Sequence, residues 1–229
     1  MALQIGYAGE RVVAGSARST FIMKTYAHLL GAVMAFIAIE VGLFSTGLAL
    51  NIAQAMVGTS WLLVLGGFMI VSWLATHAAH RAESKATQYL ALAAFVVAEA
   101  VIFVPLLAVA NYRAPGAISS AGLVTVLGFA GLSAVVFTTR KDFSFLGSML
   151  RWGFICGLLL VVAGAIFGFQ LGTFFSVAMV ALAGGAILYD TSNVLHHYPN
   201  DRYVGAALQL FASVAMMFWY VLRLFMSRD

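Results

Sequence analysis

Residues 87–110 read TQYLALAAFVVAEAVIFVPLLAVA, a run in which Glu99 is the one charged side chain. At about 1.5 Å of rise per residue, a helix of this length crosses the ~30 Å hydrocarbon core of a bilayer. Six further apolar runs flank it, at roughly 25–46, 60–77, 117–138, 147–166, 168–189 and 203–226. The whole 229-residue chain is 63% hydrophobic and 9% charged, with a mean hydropathy of +1.00. A soluble domain carries about a quarter charged residues, so lipid is the solvent that suits this surface. The sequence predicts an all-α integral membrane protein, a seven-transmembrane-helix bundle in one domain.

The fifth and sixth spans leave only Phe167 to Gly172 to turn the chain, and Gly168 and Gly172 supply the permissive backbone. Orientation follows from the basic residues. With the N-terminus cytoplasmic, Arg11, Arg18, Lys24, Arg81, Lys85, Arg140, Lys141, Arg151 and Arg202 lie inside, and only Arg113, Arg223 and Arg228 lie outside. This bias and the odd number of spans agree on N-in, C-out. Residues 1–20, small, polar and basic, read as an unstructured cytosolic tail on an uncleaved first helix, leaving 21–229 as the transmembrane domain. The excess of basic loops fits contact with anionic membrane lipids. No basic patch interleaved with aromatics suggests nucleic acid. Cys156 is the single cysteine and falls within a span, which excludes an intrachain disulfide.

Small residues let helices approach where lipid gives no hydrophobic drive to associate. Gly153 to Gly157 and Gly164 to Gly168 are GxxxG steps, and Ala181 with Gly185 continues the pattern; packing within the bundle is the expected use. Pro105 removes a backbone bond to residue 101 in the third span and is expected to kink it.

An ionisable group at bilayer depth must be paired, hydrated or neutral, and is a functional candidate by default. Three acids qualify: Glu40 in the first span, Glu99 in the third and Asp190 at the end of the sixth. Glu99 reads either as a neutral donor to the carbonyl freed by Pro105 or as part of a cation or proton path. Asp190 opens a polar stretch, Tyr189-Asp190-Thr191-Ser192-Asn193, followed by His196-His197-Tyr198-Pro199. His197 could stand on the face of Asp190 if the helix continues, and a histidine there would titrate between about pH 5 and 8. His77, His80 and Glu83 have a ligand-like spacing but lie at the surface beside Arg81 and Lys85, so no metal site is assigned. The last span carries a stripe of Gln209, Ser213, Met216 or Met217, and Tyr220, with Trp219, Tyr220 and Arg223 reading as an interfacial belt. No phosphate loop, dinucleotide fingerprint, GxSxG elbow or HExxH sequence occurs. The chain is therefore expected to be neither an enzyme nor a cofactor binder.

Two stretches carry a family resemblance. Thr138-Thr139-Arg140-Lys141-Asp142-Phe143-Ser144-Phe145-Leu146-Gly147 is similar to the loop before helix five in the Bax inhibitor 1 superfamily, and Gly185 to Phe225 is similar to its last two helices. Within the family, the Arg-Lys-Asp-Phe-Ser-Phe-Leu-Gly run, Thr191-Ser192-Asn193 and the terminal Ser227-Arg228-Asp229 look most like the bacterial YccA-like branch. The resemblance implies a bundle with helix seven central, in the bacterial inner membrane. It also implies either a binder that restrains the FtsH-type membrane protease or a pH-sensitive calcium or proton leak. In leak-forming members two aspartates, on helices six and seven, share a proton. Asp190 matches the first, and Ser213 stands at the second, so the conventional pair is incomplete. Asp190, Ser213, Glu99, Glu40 and His197 are the resulting candidates for pH sensing or an ion path.

Reporter fusions test the sidedness directly. A reporter joined near Arg18 should read out as cytoplasmic and one joined at Asp229 as external; both ends on one side would remove a span from the sequence reading.

Overall fold

The computed structural model describes residues 2–227, with side chains from residue 15 onward. Arg228 and Asp229, assigned above to the outer face and the branch motif, lie outside the described residues, as does the side chain of Arg11. Among the described residues the chain is all helical: α1 (Ala2–Ser45), α2 (Leu48–Val57), α3 (Trp61–Arg81), α4 (Lys85–Arg113), α5 (Ala117–Thr139), α6 (Leu146–Phe167), α7 (Thr173–His196) and α8 (Tyr203–Met226). Seven of these, all but α2, are long and apolar enough to cross a membrane. The protein is a multi-pass membrane bundle.

Four boundaries differ from the sequence reading, each for a local reason. The tail expected to be unstructured is helix, since α1 starts at Ala2 and runs unbroken through residue 20. The loop after it contains α2, which is apolar but, at 10 residues, too short to span. The seventh helix of the fold, α7, begins at Thr173 rather than 168, because Gly168 adopts a left-handed φ of 74° and closes α6 by donating its N–H to the Gly164 carbonyl at 2.9 Å. Finally, α7 runs past residue 189 to His196, so the polar stretch at Asp190 is inside a helix. The Pro105 segment stays within one helix, α4.

The predicted central helix is α8. It touches α1, α3, α4, α5 and α7, and Val204, Ala206, Ala207, Leu208, Leu210 and Leu222 on it are fully buried. It approaches α3 closely at its start: a Cβ on Gly205 would lie 2.9 Å from the Ala79 carbonyl oxygen, so only glycine fits. The first GxxxG step does the same for α6 and α7. Gly153 faces Leu182 and Gly157 faces Met179, while Gly185 on α7 receives Leu150. The second step is a turn device instead, since Gly168 ends the helix.

Around this centre the outward faces are apolar. Leu30, Met34, Trp73, Leu90, Leu123, Leu159 and Phe174 are all exposed, as suits contact with lipid chains. Cys156 is likewise exposed, on α6, a helix that among the described residues touches α7 and α3. The half-buried Trp219 ring meets Phe103 at 4.9 Å between α8 and α4. Arg223 does sit at the rim, donating to the Leu171 carbonyl at 3.2 Å in the α6–α7 turn, with Tyr220 under its guanidinium.

Candidate functional site

Three of the basic residues that the sequence assigned to one side, Arg18, Lys85 and Arg202, meet at one end of the bundle. Arg18 on α1 donates to the carbonyls of Leu195 (3.2 Å) and Tyr198 and to Asn200 (3.0 Å), which ties α1 to the α7–α8 loop. Lys85 donates to the Asp201 carbonyl, and Arg202 donates to the Ala82 carbonyl at 2.5 Å, joining that loop to the α3–α4 turn. His80 is absorbed into the same clasp. Its Nδ1 meets the Thr76 carbonyl at 2.8 Å, which requires an N–H there, so in the neutral ring Nε2 accepts from the Tyr198 hydroxyl at 2.8 Å. Both ring nitrogens are occupied. Burial, and after it the neighbouring Asp190, raises the Tyr198 pKa, keeping that hydroxyl protonated and able to donate.

Asp190 lies beneath this clasp and is almost wholly buried, with Thr191 and Ser192 beside it. Because α8 is central, Ser213 faces α7 and donates from Oγ to Asp190 Oδ2 at 2.5 Å. The pair expected from the sequence is thus formed, between a carboxyl group and a hydroxyl. Tyr189, Asn193, His197, Tyr198 and Gln209 surround Asp190 and line an opening of about 460 Å³. The stripe on α8 divides here: Gln209 lines the opening, Ser213 holds Asp190, and Met217 packs against Gly128 and Gly184.

His197 shares the opening but does not bond Asp190. It follows the last residue of α7, and its Nε2 donates to Asp142 Oδ2 at 2.9 Å. Asp142, a residue the sequence reading did not single out as a site, is the organiser of this rim. Its Oδ1 accepts from the Ser144 amide at 2.8 Å and from Ser192 Oγ at 3.2 Å, while Ser192 Oγ accepts from the Phe143 amide at 2.9 Å. The backbone N–H of Ser144, followed by its hydroxyl and His197, holds the Asp142 carboxyl down at about 2. The two stretches quoted for the family resemblance therefore meet in space as one network.

The remaining acids lie elsewhere. Glu99 is buried on α4 and makes no hydrogen bond among the described residues, so the expected bond to the carbonyl near Pro105 is absent. Glu40 on α1 is buried with both carboxyl oxygens unpartnered. Neither lines the opening at Asp190.

The family model described as "Inhibitor of apoptosis-promoting Bax1" (Bax1-I) matches residues 18–229. The chain belongs to this family. "Modulator of FtsH protease YccA" of Escherichia coli K12 is 38% identical over 108 residues, 46% of this chain and 49% of that protein. An uncharacterised protein of Pseudomonas aeruginosa is 38% identical over 111 residues, 47% of this chain and 49% of that one. "Protein LIFEGUARD 4" of Arabidopsis thaliana is 28% identical over 217 residues, 91% of this chain and 85% of that protein. The chain thus spans about half the length of the bacterial relatives it matches, and the identity to YccA groups it with the YccA-like branch.

The Asp142 network makes a pH-dependent prediction. A carboxyl with a depressed folded-state pKa stabilises above its unfolded value of about 3.9 and loses that contribution as pH falls; for Asp142 the loss runs down through about 2. Hydrogen exchange should show the Phe143 and Ser144 amides protected at neutral pH and released over that acid window. Asp142→Ala should release both at neutral pH while the amides of α8 stay protected.

Proposed function

We propose that this chain is a bacterial inner-membrane modulator of an FtsH-type membrane protease, acting by binding rather than by catalysis, with the clasped basic end of the bundle on the cytoplasmic side. The observation that supports this most directly is the 38% identity to YccA, whose name describes a modulator of FtsH protease. The sidedness rests on the concentration of lysine and arginine at the clasped end. Residues N-terminal to Arg18, the side chain that anchors α1 to the clasp, are those a cytoplasmic machine would meet first. Deleting residues 2–14 should lengthen the lifetime of the inserted protein in cells that contain the protease and reduce its co-purification with it. A lifetime unchanged by the deletion and by removal of the protease would count against the reading.

A second reading, a pH-sensitive calcium or proton leak, is favoured by one arrangement: Asp190, buried and bonded to Ser213, at the floor of an opening at the same end. The carboxyl–hydroxyl pair lacks the like-charge coupling of two carboxylates, so any gating would depend on a single titrating carboxyl group. Flux into liposomes, followed from about pH 5 to 8, should then change with pH, with Asp190→Asn abolishing the change and His197→Gln retaining it. Wild-type liposomes that pass neither ion across this range would leave Asp190 as a link between α7 and α8.

A further inference from the structure

Tyr203, the first residue of α8, collects cations from two other helices. Lys24 Nζ on α1 lies 5.3 Å from its ring centroid and Lys85 Nζ on α4 lies 4.4 Å away. The ring of His28 sits 5.1 Å from the same ring, with its Nε2 2.9 Å from the Tyr89 hydroxyl. Among the described residues neither lysine is within ion-pair distance of a carboxylate. Among the described residues the ion pairs are His197 with Asp142 and Arg202 with Asp201, so Asp201 offers Lys85 its carbonyl but its carboxylate to Arg202. An aromatic face attracts an ammonium group, yet it leaves the net charge of two in place.

Immediately below this cationic group, an apolar groove of about 520 Å³ runs between α1 and α4. Its floor is Ala32, Leu92 and Val96, and Gly31, Ala35 and Ala93 keep its walls low. It extends from Ala27 to Ile39 along α1, which at 1.5 Å per residue is about 18 Å, close to the ~15 Å depth of one leaflet. Leu30, Met34 and Leu90 are exposed beside it, so the groove opens sideways to the bilayer.

We propose that this groove is a binding site for an anionic glycerophospholipid, one acyl chain lying between α1 and α4 and the phosphate headgroup resting on Lys24 and Lys85. The acyl chain alone gives no selectivity, since every bilayer lipid has one. Selectivity comes from the two ammonium groups at headgroup level.

Lys24 is the residue to change, because its side chain makes no hydrogen bond in the clasp, whereas Lys85 does. Full-length protein is taken from nanodiscs of equal phosphatidylcholine and phosphatidylglycerol into detergent, and retained lipid is read by native mass spectrometry. Wild type should retain phosphatidylglycerol preferentially. Lys24→Gln should cut that preference by about fivefold, the loss of one lysine at the headgroup, and Lys24→Glu should abolish it. Gly31→Leu, placed where a Cβ meets open space, should fill the groove and lower retention of both lipids at an unchanged lipid-free thermal midpoint; Ala93→Leu serves the same purpose should Gly31→Leu not fold. Equal retention of the two lipids by wild type, a preference unmoved by Lys24→Glu, or a second copy of the chain in place of lipid would overturn the proposal.

Discussion

Everything in this bundle depends on how closely α8 can be approached. In lipid the hydrophobic effect does not draw helices together, and association relies on contact between surfaces and on bonds between polar groups. The chain meets that constraint with absence of side chain at the contacts: around α8, Gly205 lies against the Ala79 carbonyl and Gly128 and Gly184 surround Met217, and further out Gly153 and Gly157 of α6 face α7. With the backbones this near, a serine hydroxyl on α8 reaches a carboxyl group on α7. The polar centre is a consequence of the packing, and its geometry could not survive a wider separation.

The fold was legible because spanning helices advertise themselves through length and apolarity, quantities that need no knowledge of neighbours. Residues 87–110 and their six companions locate all seven spans. Two of the misjudged boundaries, the start of α1 and the end of α7, share one cause, which is that the helices continue into polar sequence, whereas the late start of α7 follows from the left-handed Gly168. Asp190, Thr191 and Ser192 look like a chain leaving the membrane, yet they stay helical because α8 and the α5–α6 loop supply their partners. The α2 helix escaped for the opposite reason, being regular but too short to leave a span-length signal.

Within the site, Asp190 and Ser213 were legible as a pair only through the family resemblance, while their contact needed α8 at the centre. Asp142 was hidden by distance along the chain, for its side-chain partners Ser192 and His197 are 50 and 55 residues away. Its place in the 138–147 stretch was the one available signal. His197 was associated with Asp190 because they share a helix end, and the structure directs it across the rim instead. Glu99 and Glu40 stand out in sequence for their depth, and both remain without hydrogen bonds among the described residues.

The position of Cys156 has a practical meaning. It is the sole thiol in the chain, it is exposed, and among the described residues the helix that carries it borders α3 and α7 alone. A spin label or fluorophore attached there would occupy the acyl region without displacing any buried neighbour. Of all the spans, α6 is thus the one whose displacement relative to α8 could be followed in the natural sequence, with a single added reporter on the central helix completing the distance.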